Sequence, residues 1–118
     1  MKGKNSLPTS ENYTEKLGKS QGNSISLDEI KRLNFFAYLE AIGASLVKKK
    51  SSKYGRLYKT PFGSLWVRYD YKTGIYFYTS LTGTDNGTII DFIQTHILQE
   101  RNLGKVRRYI SEHLHLFA

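Results

Sequence analysis

The sequence predicts an α+β domain: a small antiparallel β-sheet with one helical segment before it and two helices after it. Three observations carry this expectation. Capping signals and helical spacing lie on both sides of the chain's middle, from Ser26 to Gly43 and again from Thr88 to Leu114. Between them, Leu46 to Ser80 is built of aromatic and β-branched residues divided by turn signals, the texture of strands. With 118 residues and 39% hydrophobic content, there is material for one modest core and not for two.

Residues 1–25 are rich in Lys, Ser, Asn and Gly, contain Pro8 and show no sustained apolar period. Such a stretch cannot offset its ordering entropy by burial, so it is read as a flexible arm ahead of a domain spanning 26–118. Ser26 is a candidate N-cap with Glu29 three residues on, and Asn34 is a second cap ahead of Phe35, Phe36, Tyr38, Leu39 and Ile42. Gly43 ends this helical region. Strands are expected near Leu46 to Lys48, Tyr54 to Thr60, Ser64 to Tyr69 and Ile75 to Ser80. Asp70 to Gly74 joins the last two as a hairpin. After the polar loop Thr82 to Gly87, the residues Ile89, Ile90, Phe92, Ile93, Ile97 and Leu98 recur at helical spacing, with Thr88 or Asn86 as cap. Leu103, Val106, Tyr109, Ile110 and Leu114 mark a closing helix.

Charge narrows the partners. Lys and Arg number 18 against 10 Asp and Glu, a net of +8. Between Ala44 and Gly74, eight cations (Lys48, Lys49, Lys50, Lys53, Arg56, Lys59, Arg68 and Lys72) face Asp70 alone, a local net of +7. The same span holds Tyr54, Tyr58, Phe62, Trp66, Tyr69 and Tyr71. Cations neutralise phosphates while rings stack bases, so this interleaving suits a single-stranded nucleic-acid groove. The bland reading makes the lysines a solvated loop and the rings sheet core. Strand alternation puts Leu65, Val67 and Tyr69 on one side and Trp66 with Arg68 on the other. If helices cover the Leu65 side, the open face shows Trp66 and Arg68 beside Tyr76 or Tyr78; the alternative buries Trp66 and leaves Tyr69 near the rim.

Other chemistries find little support. The chain has no cysteine, which excludes disulfides, thiol nucleophiles and cysteine zinc sites. His96, His113 and His115 have no acidic cluster close in sequence and read as ordinary helix residues, so neither a metal site nor a cofactor is expected. Asp85 and Asp91 flank a helix start and read as caps. No Gly-Lys-Ser/Thr follows Gly83 or Gly87, so they form no phosphate loop. No nucleophile, base and orienting group occur together, and the domain reads as non-catalytic by itself. Arg101, Lys105, Arg107 and Arg108 could extend the basic surface, although a helix face near a chain end is more often simply solvated. No apolar run nears the roughly 18 residues of a membrane span, and Met1 to Ser6 lack a secretory apolar core, so a cytoplasmic protein with no membrane partner is expected.

One resemblance covers Phe36 to Leu114, about two-thirds of the chain. Tyr38, Leu39, Ile42 and Gly43 precede Lys48, Lys49 and Lys50. Gly55 to Leu57 is followed by Thr60-Pro61-Phe62-Gly63. The aromatic segment Gly74 to Tyr78 is followed by Gly87-Thr88-Ile89-Ile90-Asp91-Phe92. This order resembles the N-terminal zinc-ribbon domain of bacterial-type and mobile-element DNA primases, which sits ahead of a toprim catalytic domain. On that likeness the four metal-ligand positions fall on Thr60, Gly63, Tyr78 and Leu81, none of which binds zinc as Cys and His do. The resemblance thus implies a zinc-ribbon-like domain without metal. Structural zinc can contribute about 10 kcal/mol or more to folding of small domains, and Tyr78, Leu81, Phe77 and Phe62 are expected to fill the vacated corner instead. It further implies a template-binding role in DNA replication or mobilisation. Single-stranded DNA (or RNA) and a toprim/primase catalytic domain or replicative helicase are the implied partners. The alternatives are a protein-interaction module docking another replication or transfer protein, and a stand-alone duplex DNA or RNA regulator.

The sequence-level contact set is therefore Lys48, Lys49, Lys50, Lys53, Arg56, Tyr58, Lys59, Trp66, Arg68, Lys72 and Tyr76.

Overall fold

A computed structural model describes residues 25–52 and 55–118. The predicted arm up to residue 24, Lys53 of the expected contact set and Tyr54 of the expected strand lie outside the described residues. Ile25, assigned by sequence to the arm, is half-buried against the core, and its carbonyl accepts from Arg107 Nε at 3.1 Å.

The fold is α+β. Helix α1 (Leu27–Lys31) starts in a capping box: Ser26 Oγ accepts from Glu29 N, and Glu29 Oε1 accepts from Ser26 N, both at 3.1 Å. Helix α2 (Phe35–Ala41) is capped by Asn34, whose Oδ1 accepts from Ala37 N at 3.0 Å. Gly43, with φ at +102°, turns the chain out of α2 into the sheet. Five antiparallel strands follow in chain order: β1 (Ser45–Leu46), β2 (Gly55–Thr60), β3 (Gly63–Tyr69), β4 (Tyr76–Ser80) and β5 (Asn86–Gly87). The first strand, expected near Leu46 to Lys48, ends at Leu46, and Lys48 instead begins a 3₁₀ turn, Lys48–Lys50. Helix α3 (Ile89–Phe92) follows β5, and helix α4 (Leu103–Glu112) is capped by Asn102, whose Oδ1 accepts from Lys105 N at 3.0 Å. A 3₁₀ turn, Leu114–Phe117, comes last.

Thr88, not Asn86, caps α3, in a box with Asp91: Thr88 N donates to Asp91 Oδ2 at 2.8 Å. The helical spacing from Ile89 to Leu98 does not continue as α-helix, because Ile93–Ile97 open into a π turn closed by Leu98 N donating to Ile93 O at 2.8 Å. The wide turn shifts the phase of the helix face. Gln94 is thereby buried, its amide donating to Arg101 O at 3.1 Å.

The core lies between one side of the sheet and the helices. Tyr58, Leu65, Val67 and Tyr78 come from the sheet, meeting Ile30, Phe35, Tyr38 and Leu39, then Ile89, Phe92, Ile93, Val106, Ile110 and Phe117. Burying each such side chain is worth about 1.5–3 kcal/mol. Tyr38 anchors the closure, its ring stacked on Phe117 at 4.5 Å and its hydroxyl 2.9 Å from that of Tyr109. Leu103 and Leu114, expected on the apolar face of the closing helix, are exposed.

Candidate nucleic-acid interface

The register fixes which side chains share the outer face of the sheet. Leu57 pairs with Trp66 and Trp66 with Thr79; Gly55 pairs with Arg68 and Arg68 with Phe77; Lys59 pairs with Ser64. Pleating puts these residues on the side opposite Tyr58, Leu65, Val67 and Tyr78, which are fully buried or nearly so. Leu57, Trp66 and Phe77 are absent from the core and its packing margin. They are half-buried, while Lys59, Arg68 and Thr79 are exposed.

The Arg68 guanidinium lies 5.0 Å over the Phe77 ring, so one surface carries a ring, a cation and a second ring in adjacent strands. The turn bearing Lys48, Lys49 and Lys50 is fastened alongside. Val47 N donates to Leu57 O at 2.8 Å, and Ser51 Oγ donates to Val47 O at 2.9 Å while accepting from Leu57 N at 3.1 Å. All three lysines are exposed. Lys72 stands at the Arg68 end, in a turn held by Asp70, whose carboxylate accepts from Thr73 Oγ1 at 2.7 Å and Lys72 N at 3.2 Å. Those bonds, Thr73's first, hold the Asp70 carboxyl below its ordinary range. Gly74, at φ +78°, completes the turn.

Three of the expected contacts are elsewhere. Tyr58 is wholly buried on the core side and donates to Glu40 Oε2 at 2.7 Å, so its ring is closed to stacking. Burial, reinforced by that bond, pushes its hydroxyl up to about 12. Arg56 is on the same side, 4.2 Å over the Phe36 ring and 3.7 Å from Glu40. Tyr76 also faces the helices, edge-on to Phe36 at 5.2 Å and 4.8 Å from Tyr69. The neighbours of Trp66 and Arg68 on β4 are therefore Thr79 and Phe77, not Tyr76 or Tyr78. Phe77 and Leu57 escaped the sequence reading of the contact face; the hairpin register, had it been fixed, would have placed both.

At the corner assigned by resemblance to a lost metal, Thr60 and Gly63 form a tight turn, Thr60 Oγ1 donating to Gly63 O at 2.7 Å. Tyr78 points into the core, whereas Leu81 is exposed and Phe77 is on the other face, so neither of the latter fills the corner. Its occupants are Phe62, stacked on His96 at 4.9 Å, and Phe92. A polar chain runs beneath: Tyr78 Oη donates to Asp85 Oδ1 at 2.6 Å, and Asp85 Oδ2 is 2.5 Å from His96 Nε2. Asp85 is thus not a helix cap, and His96 is tied to the loop before β5. Burial, with the Asp85 bond second, raises the Tyr78 hydroxyl well above its usual value. Among the described residues no group of three or more His, Cys, Asp or Glu is placed to hold a metal ion, and no helix is long and apolar enough to cross a membrane. No protein-family model, curated protein or solved structure matches this chain.

Proposed function

We propose that this chain is a single-strand nucleic-acid-binding module that uses the outer face of its sheet. The observation that supports it is the one-sided helical cover: Trp66, Arg68 on Phe77, and Lys59 share the face that none of the described helices covers, with Lys48, Lys49 and Lys50 along its edge. Rings and cations so arranged take bases and phosphates respectively, with little reading of sequence. Binding itself needs no catalytic group, and the module serves by presenting a strand to other machinery. Its setting in a primase, beside a toprim domain or a helicase, belongs to the same proposal and comes from the resemblance alone.

The test is fluorescence anisotropy of a labelled oligothymidylate of about 15 nucleotides at increasing salt. Affinity should fall steeply as salt rises. Trp66→Ala should weaken binding by about 1–3 kcal/mol without changing the salt dependence, since stacking releases few ions. No binding at low salt would overturn the reading and favour a protein partner for the same face, which also carries the apolar Leu57.

A further inference from the structure

Gly55 opens β2 at a position that makes no special demand on the backbone. It is not among the glycines with positive φ, and it sits in regular register opposite Arg68. What glycine supplies here is the absence of a side chain. A Cβ at this position would lie 2.5 Å from Cζ2 of Trp66, 2.9 Å from Cε2 and 3.2 Å from Cη2. The first two distances are shorter than van der Waals contact permits, so the indole occupies the space that any other residue would fill. Trp66 pairs with Leu57, two positions along β2, and its ring leans along the strand to cover Gly55. Because Gly55 is the cross-strand partner of Arg68, the indole covers the β2 position opposite Arg68, whose guanidinium lies over Phe77. The indole over β2 and the guanidinium stacked over the Phe77 ring lie on the same outer face of the sheet.

We propose that Gly55 is a positioning residue for base stacking: by leaving room for the Trp66 indole to lie flush on β2, it makes a flat platform that takes an unpaired base. The proposal rests on the single-strand reading above and deepens it. A ring lying flush on the sheet presents its face outward and cannot reach into a groove, so a base must offer its own open face to meet it. A strand with free bases can do so, and a duplex, whose base faces are covered by stacking, cannot.

Trp66 is the single tryptophan of the chain, so its fluorescence reports the seating with no ligand present. Gly55→Ala has no left-handed backbone to strain, and its clash falls on the indole. The variant should fold, with emission shifted to the red and acrylamide quenching increased. Oligothymidylate affinity should drop by about fivefold or more, with the salt slope unchanged and the preference for single strand over duplex reduced. In the Trp66→Ala background the added methyl meets no ring, so Gly55→Ala should cost nothing further in melting temperature or affinity.

Unchanged emission and quenching in Gly55→Ala would overturn the proposal, as would an additive loss in the double variant. Should Gly55→Ala fail to fold, the double variant decides: folding like Trp66→Ala supports the seating, and failure overturns it. Absence of binding by the unaltered protein would instead defeat the single-strand reading, whatever the fluorescence shows.

Discussion

Replacing Lys48, Lys49 and Lys50 together by Ala gives the sharpest measure of charge at the proposed interface. The three occupy consecutive positions of one 3₁₀ turn, are exposed, and among the described residues have no carboxylate partner. Each is therefore available to a phosphate. On single strands every phosphate contact contributes about 0.7 to the log-log salt slope, so losing three should reduce that slope by about 2. Between about 50 and 200 mM salt, the unaltered protein should then lose about 20-fold more affinity than the variant. Anisotropy titrations with an oligothymidylate across that range give both slopes directly. Thermal melting checks the fold, and exposed substitutions of this kind should change stability by no more than about 0.5 kcal/mol. Parallel slopes for the two proteins would refute the reasoning, because the turn would then contribute no phosphate contact.

Two further predictions concern the scaffold. Asp85→Ala leaves the buried Tyr78 hydroxyl and His96 without their shared acceptor, and should cost about 1–3 kcal/mol in urea denaturation; a change below about 0.5 kcal/mol would mean that the chain from Tyr78 to His96 holds nothing together. Tyr38, Tyr58 and Tyr78 all have hydroxyls raised above their ordinary value, burial being the first cause in each. The folded protein therefore keeps protons that the unfolded chain releases above about pH 10, so stability should be intact below that pH and fall as pH rises beyond it, by up to about 1.4 kcal/mol per pH unit for each tyrosine. Equal urea midpoints at about pH 8 and about pH 11 would contradict the burial of these rings.

Local chemistry was legible in the sequence and spatial neighbourhood was not. The Ser26 and Glu29 capping box, the Asn34 cap, the Asp70 to Gly74 turn and the alternation that buries Leu65 and Val67 each depend on residues within a few positions of one another, and each forms. Tyr58 was misassigned because its burial depends on pairing with Leu65 across the Pro61 and Phe62 turn, a register that composition does not fix. Strand β5 went unseen because Asn86 and Gly87 carry no apolar alternation; Gly87 joins the sheet by pairing with Tyr78, and its missing side chain makes room for Asp91, whose Oδ2 would lie 2.3 Å from a Cβ there. Asp85 and His96 are eleven positions apart, and His96 meets the carboxylate from within the π turn. The wide turn has no signature in a pattern that fits an ordinary helix equally well.

The meander has a bearing on how the chain acquires its shape. Every strand pairs with its sequence neighbour across connections of two to eight residues, so the sheet can zip by closures on the microsecond scale. Its helical cover is assembled differently, since Tyr38 meets Tyr109 across 71 positions and Ile25 meets Arg107 across 82. At ribosomal rates of about 5–20 residues per second, Phe117 emerges roughly 2 to 6 seconds after Gly87 completes the set of strands. For that interval the outer face of the sheet can already exist while Leu65, Val67 and Tyr78 still lack much of their cover. A nascent chain is therefore most exposed to wrong association on the side that later becomes its core, and early docking of α1 and α2 is its first protection.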